Sequence, residues 1–361
     1  MSRLKAPFPW FGGKSRVSSL VCDRFGDVIN YVEPFFGSGA VLLGRPSEPR
    51  IETVNDKDGF LVNFWRAVQH DPDVVAHYAD RPVNESDLAA VHLWLKTGVD
   101  RGSLVERLEG DMDFFDAKVA GLWVWGISCW IGSAWCDDGD GPWGTDNEGR
   151  LVRGIRGTQR RMPGLKNNKG VNQNLSRGVT RARPHLSSAG QGVTRKRPNL
   201  TSSKGVVRKM PSVGGSGRGV ASAIKPLYQW MTDLSDRLRK VRVICGDWGR
   251  VLGPSITTGI GVTGVFLDPP YGDDQRESVY NEESFSVAGD VLAWCKKRGS
   301  NPKMRIALCG YEGEHEELEE RGWDVVSWKA GGAYKGQSDN QNRFRERIWF
   351  SPGCNRSMEL F

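Results

Sequence analysis

The run Val265-Phe266-Leu267-Asp268-Pro269-Pro270-Tyr271 sets a carboxylate, two prolines and an aromatic ring in consecutive positions behind a strand-like apolar stretch. Consecutive prolines fix an extended backbone and leave their carbonyls free of competing local N–H donors. Asp268 and the Pro269 carbonyl can therefore each accept one N–H of an amine attached to a planar base. That pulls the nitrogen lone pair out of conjugation and towards an incoming methyl group, while Tyr271 can stack on the base. Asp268, Pro269, Pro270 and Tyr271 are the candidate catalytic residues. The structural alternative is a proline-stiffened strand exit with an incidental Asp.

Two further strand ends carry acids. Glu33-Pro34-Phe35-Phe36-Gly37-Ser38-Gly39 follows an apolar, β-branched run. Glycines at such a corner let backbone approach a ligand closely, and an acid there can bind hydroxyls or an ammonium. Asn55-Asp56 ends the next strand, where an acid takes ribose hydroxyls in dinucleotide-type folds. The alternative role for Asp56 is an N-cap for a helix starting near Asp58. Gly246-Asp247-Trp248 ends a third strand. A purine can stack on Trp248 and hydrogen-bond through Asp247; the alternative is core packing of the Trp. Gly12-Gly13-Lys14-Ser15 suggests a phosphate loop, but the full motif needs Gly where Phe8 stands and a preceding strand, so a nucleotide triphosphatase is excluded.

The elements that must position these groups read as one α/β unit. Strand-like runs at Asp27–Phe35, Arg50–Asn55, Val241–Cys245, Gly264–Leu267 and Arg305–Leu308 alternate with helix candidates at 40–44, Gly59–Gln69 and Glu312–Glu320. Ile224, Leu227, Met231, Leu234, Leu238 and Val241 recur in steps of three and four, an amphipathic helix. Residues 114–131 are Trp-rich and read as a buried helix. Trp323–Trp328 and Glu346–Phe350 close the chain as a hairpin. Alternating strands and helices imply a mostly parallel, doubly covered sheet that binds ligands at the strands' carboxyl ends.

The chain has 361 residues and a formal charge of +7. Residues 151–220 hold 16 Lys or Arg and no Asp or Glu, so the remainder is net acidic. Within that segment Gly178-Val179-Thr180-Arg181-Ala182-Arg183-Pro184-His185-Leu186 is nearly restated as Gly192-Val193-Thr194-Arg195-Lys196-Arg197-Pro198-Asn199-Leu200. Weaker copies begin at Gly154 and Gly205, the latter bringing Arg208 and Lys209. Each copy offers too little apolar surface for its own core, so arms that order against a polyanion are expected, with a flexible linker as the alternative. Seven unpatterned cysteines read as reduced thiols, with no disulfide framework and no metal site. No run is long enough to span a bilayer and no export signal is read, so a cytoplasmic protein is expected.

Taken together and in this order, the motifs resemble those of the Dam-type DNA adenine methyltransferases, the alpha-ordered group with cofactor motifs first, target recognition in the middle and the catalytic motif after. Pro9-Trp10-Phe11-Gly12-Gly13-Lys14 resembles the N-terminal cofactor motif of that family. Glu33 to Gly39 resembles its methionine-binding loop, Asp56 its ribose-binding acid, Asp247 its adenine contact and Asp268 to Tyr271 its catalytic motif. The resemblance implies a Rossmann-like methyltransferase sheet with an inserted target-recognition region made of a helical part and the basic repetitive segment. It implies S-adenosyl-L-methionine as cofactor, bound by Trp10, Gly12, Lys14, Glu33, Phe35, Gly37, Gly39, Asp56, Asp247 and Trp248. It also implies direct methyl transfer to the N6 amine of an adenine flipped out of duplex DNA. Residues 1–70 and 224–361 would form the catalytic domain and 71–223 the insertion. Arg181, Arg183, Arg195, Lys196, Arg197, Arg208 and Lys209 would grip DNA, although the basic repeats match no pattern of the family. The loop Gly272–Ser284, with Tyr280 and Phe285 nearby, is a candidate cover. Transfer to the cytosine amine is the nearest alternative, and Asp instead of Ser before the two prolines favours adenine. An RNA substrate or an inactive DNA-binding protein are the others; intact Glu33, Gly37, Gly39, Asp56 and Asp268 argue against inactivity.

Overall fold

A computed structural model describes residues 4–10, 13–45, 50–130, 135–136, 143–145, 151–153, 224–270, 283–328 and 345–356. In chain order the elements are α1 (Ser18–Phe25), β1 (Asn30–Glu33), α2 (Ala40–Gly44), β2 (Ile51–Asp56), α3 (Gly59–His70), α4 (Pro72–Ala79), α5 (Glu85–Thr97), α6 (Arg101–Gly110), α7 (Ala117–Cys129), β3 (Trp143–Thr145) and β4 (Leu151–Arg153). After the basic segment come α8 (Ile224–Leu238), β5 (Val241–Cys245), β6 (Thr263–Leu267), α9 (Glu283–Arg298), β7 (Met304–Tyr311), α10 (Glu316–Glu319), β8 (Asp324–Ser327) and β9 (Glu346–Phe350).

Seven strands form one sheet in the order β5-β2-β1-β6-β7-β9-β8. Strands β5, β2, β1, β6 and β7 are parallel, and β9 runs antiparallel between β7 and β8. The order differs from the six-stranded doubly wound sheet only by this wedged last strand, and it reverses direction between β1 and β6, the point beyond whose strand ends such sheets place their ligand crevice. The central strands are buried on both faces, as a covered parallel sheet requires. Successive residues point to opposite faces. Tyr31, Phe266 and Ala307 join the core under α3, α7 and α8, whereas Val32, Val265, Leu267, Ile306 and Leu308 pack with Val291 and Cys295 of α9.

Helix α3 starts where the Asp58 carboxylate accepts the Phe60 and Leu61 amides at 2.9 and 3.2 Å. The Asp116 carboxylate starts α7 in the same way, through the Val119 amide at 2.8 Å. Helix α7 is apolar nearly all round and correspondingly buried. Phe8, Phe64, Trp65 and Trp123 meet there edge to face or tilted, with centroids 5.0–5.9 Å apart. The same core continues through α4 to α7: α4, α6 and α7 pack against α3, α4 also against α8, and α5 against α7. The buried Arg66 reinforces this joint by donating to the Val243 and Asp111 carbonyls, both at 2.9 Å. All seven cysteines are buried. Among the described residues no helix is long and apolar enough to cross a membrane, and no group of three His, Cys, Asp or Glu could hold a metal.

Candidate active site at the sheet's carboxyl edge

Three strand exits are laced together by Asn55. Its side-chain amide donates to the Pro34 carbonyl at 3.1 Å and the Gly246 carbonyl at 3.0 Å. Its backbone carbonyl accepts from Phe36 at 2.9 Å, and the Gly246 amide donates to the Asp56 carbonyl at 3.0 Å. The loops after β1, β2 and β5 therefore form one rim. Gly37 and Gly39 have φ of 48° and 62°, in the left-handed region that glycine adopts most readily. A Cβ on Gly37 would lie 2.7 Å from Trp10 Nε1, so the glycine lets Trp10 close against the loop. The Trp65 indole N–H donates to the Gly37 carbonyl at 3.0 Å from beneath.

Each acid on this rim has a different setting. Glu33 is 2% exposed, and its Oε2 accepts the Tyr31 hydroxyl at 2.8 Å. Burial pushes its carboxyl up to about 8, against the lowering effect of the Tyr31 hydrogen bond; the nearby Asp268 charge adds to the rise, and the Leu42 amide and Arg45 oppose it. Asp56 accepts the Gly37 amide at 2.9 Å and the Asp58 amide at 3.0 Å. Burial raises it to about 6, partly offset by those amides. The cap of α3 is thus Asp58, and Asp56 ties the β1 loop to the end of β2. Asp247 is exposed, accepts the Gly249 amide at 2.8 Å and caps the short 3-10 turn Trp248–Val251. Trp248 is half-buried and stacks on Phe35, centroids 6.1 Å apart at 22°.

Asp268 leaves β6 beside Glu33. The Lys14 ammonium lies 3.0 Å from Asp268 Oδ1 and 3.7 Å from Glu346 Oε2 of β9, and 5.6 Å from the Trp328 ring centroid. The Lys14 side chain is 5% exposed and that of Asp268 22%. Burial alone would push Lys14 down; the fields of Asp268, Cys309 and Glu346 and the Asp268 hydrogen bond outweigh it, so the ammonium is held above its ordinary value. Sequence reasoning grouped Lys14 with the cofactor residues, and the fold sets it against the carboxylate of the candidate catalytic motif. Trp10, Glu33, Phe35, Gly37, Gly39, Asp56, Asp247 and Trp248 share the rim, with Pro269 and Pro270 at its β6 end. Gly12, Tyr271, residues 272–282 of the cover loop with Tyr280, and Arg181, Arg183, Arg195, Lys196, Arg197, Arg208 and Lys209 lie outside the described residues, as does the side chain of Phe285; Glu283 and Ser284, read as the end of that loop, begin α9 instead.

Sequence reasoning missed Tyr31, Asn55 and Glu346. Asn55 adjoins the acid that was singled out, and Tyr31 faces Glu33 by strand alternation, so both left a local signal. Glu346 left none, because its role depends on β9 being wedged beside β7.

This arrangement suits a ligand that combines a cation, hydroxyls and a planar ring, next to a carboxylate poised for an amine. Residues 10–90, which carry β1, β2 and the rim between them, match the family described as D12 class N6 adenine-specific DNA methyltransferase. The likeness to that family is carried by this segment of the 361-residue chain. The match supports an enzyme of adenine-specific DNA methylation, and the Rossmann-like sheet is the fold expected of such a methyltransferase. No curated protein matches the chain.

The family is generally S-adenosylmethionine-dependent. The residues present fit that group: the three acids end neighbouring strands, two glycines clear the backbone, and Asn55 Oδ1 is buried at the centre of the rim without a hydrogen-bond partner.

Proposed function

We propose that this methyltransferase acts on an adenine flipped out of duplex DNA, with Asp268 as its catalytic carboxylate and S-adenosylmethionine as its cofactor. The observation that carries this reading is the convergence of Asp268, Lys14 and Glu33 on the β1–β6 crevice, beside the Asn55-laced rim. When bound, S-adenosylmethionine supplies an activated methyl group; Glu33, Asp56 and Asp247 would hold its ammonium, ribose and adenine. Asp268 accepts an N–H of the target amine and takes the proton that the amine gives up. Its side chain is partly exposed, which opens a route for that proton to water. Lys14 keeps the Asp268 carboxylate fixed, and the Pro269 carbonyl accepts the second N–H. Alignment on a rigid strand exit supplies much of the rate. An adenine cannot reach this crevice from inside a duplex, hence the flipping.

In the same reading, residues 1–70 and 224–361 form the catalytic domain. Residues 71–223 recognise the target, with the basic repeats on DNA phosphates. Each phosphate contact adds about 0.9 to the slope of log affinity against log salt. A deletion of 151–220 that removes about five contacts therefore flattens that slope by roughly 4–5 units while cofactor binding survives. An unchanged slope would return the segment to the linker reading.

The test is product analysis after incubation with duplex DNA or with RNA of the same sequence. N6-methyladenine in DNA is expected from the native enzyme and none from Asp268→Ala, which still binds cofactor within a few-fold. N4-methylcytosine, methylated RNA or an active Asp268→Ala would overturn the reading.

A further inference from the structure

Tyr31 lies two residues before Glu33 on the same face of β1, fully buried. Its hydroxyl donates to Glu33 Oε2 at 2.8 Å. Its ring is flanked by the Arg45 guanidinium, 4.5 Å from the centroid. Arg45 is turned towards Glu52 at 3.5 Å, and Glu52 is itself held by Arg237 at 2.6 Å. Glu33 therefore has its nearest guanidinium engaged behind Tyr31, and among the described residues no cation stands within ion-pair distance of its carboxyl group. A buried carboxyl group with a fixed hydroxyl donor and no cation is unfinished electrostatically, and it stands at the end of β1, where the rim loop begins.

We propose that Tyr31 is a positioning residue for the cofactor: its buried hydroxyl aims the Glu33 carboxyl group at the rim, and the ligand's ammonium completes the pair, displacing a proton from Glu33. This rests on the reading of the β1 loop as the cofactor site. The groups that face Glu33 are Tyr31 on β1, the Leu42 amide of α2, Arg45 beyond α2 and Asp268 at the end of β6, itself held by Lys14. Tyr31 is pushed well above its ordinary value by burial and by the Glu33 charge, so it remains a donor throughout the working range. With the ligand-free carboxyl near 8, Glu33 is mostly protonated at neutral pH, and an ammonium requires it ionised. The bond breaking is Glu33 O–H, and the proton leaves to buffer.

The experiment is calorimetric titration with S-adenosylhomocysteine, which keeps the ammonium and lacks the sulfonium charge, in two buffers of different ionisation enthalpy. For the native protein, affinity rises about tenfold per pH unit below pH 8, because one proton is linked to binding. At pH 7 nearly one proton is released per ligand bound. Affinity turns over above about pH 8 as the ligand's own α-amino group loses its proton. In Tyr31→Phe the donor to the carboxylate is gone and Glu33 ionises at higher pH. Affinity at pH 7 then falls roughly tenfold, the size expected for losing one hydrogen bond to a charged group. The gap narrows towards pH 9.5. Glu33→Gln binds weakly and releases no proton at pH 7. Equal weakening of Tyr31→Phe at every pH, or an unchanged acid limb, would overturn the role of Tyr31 and leave only a packing role. Tight, proton-silent binding by Glu33→Gln would instead remove the reading of Glu33 itself, so the two failures are separable.

Discussion

The two halves of the crevice use carboxylates in opposite ways. On the β1–β6 side, Glu33 and Asp268 face side-chain partners that carry or move charge: the Tyr31 hydroxyl and the Lys14 ammonium. On the β2–β5 side, Asp56 and Asp247 are turned back onto backbone amides of Gly37, Asp58 and Gly249. The first half is arranged to change the charge a ligand meets, and the second to fix the shape of the loops around it. Substitutions at Asp268 should therefore act on turnover, those at Glu33 and Tyr31 on cofactor affinity and its pH dependence, and those on the second side on cofactor affinity alone.

The largest effect is expected at Asp268. Asp268→Ala should lower turnover by about 10²–10⁴-fold, the range for removing a positioned acid–base group. Cofactor affinity measured by calorimetry should stay within a few-fold. If affinity collapsed together with turnover, the two halves would not be separable in the way the contacts suggest.

Lys14→Met follows. It leaves Asp268 and Glu346 without their shared ammonium, near the buried Glu33. Removing one member of a buried ion pair costs about 3–5 kcal/mol, and the partial exposure of Asp268 argues for the lower end. Denaturant unfolding at pH 7 reads that loss, and turnover should fall along with it. Unchanged stability would mean that the pair contributes nothing to the site.

Third is Asp56→Ala, which strips the acceptor from the Gly37 amide and slackens the rim. Cofactor affinity should fall roughly tenfold, the scale of a lost hydrogen bond to a charged group. Turnover at saturating cofactor should largely recover. Unchanged affinity would confine Asp56 to loop architecture with no ligand of its own.

These residues differ in how far the sequence revealed them. Asp268, Glu33, Asp56 and Asp247 were legible because each stands at the end of a strand-like apolar run, with proline following Asp268 and Glu33; the signal is local. The strands of the seven-stranded sheet were legible for the same reason, the closing hairpin appearing as β8 and β9, whereas the short pair β3 and β4 was not read. Helices α4, α5 and α6 were not resolved individually, because they bury only a few residues each and depend on α3, α7 and α8 for their apolar contact. The partnership of Lys14 with Asp268 was invisible: the two are far apart in sequence, and Gly12-Gly13-Lys14 carries a local pattern that points towards phosphate or cofactor. Only the packing of the N-terminal segment across the sheet edge brings the ammonium to β6.

The smallest effect, and the one that best sharpens the contrast, is expected at Asp247. Its carboxylate is exposed and bonded to the Gly249 amide, so it holds the 3-10 turn that carries Trp248 against Phe35. Asn offers the same acceptor oxygen without the charge, and Asn and Asp serve about equally as caps. Asp247→Asn should therefore bind cofactor within about twofold of the native enzyme, since the cap survives. Asp247→Ala loses the cap and should bind several-fold more weakly, with the Trp248 fluorescence change on binding diminished. If Asn proved as weak as Ala, the charge itself would be meeting the ligand, and Asp247 would belong with Glu33 on the electrostatic side of the crevice.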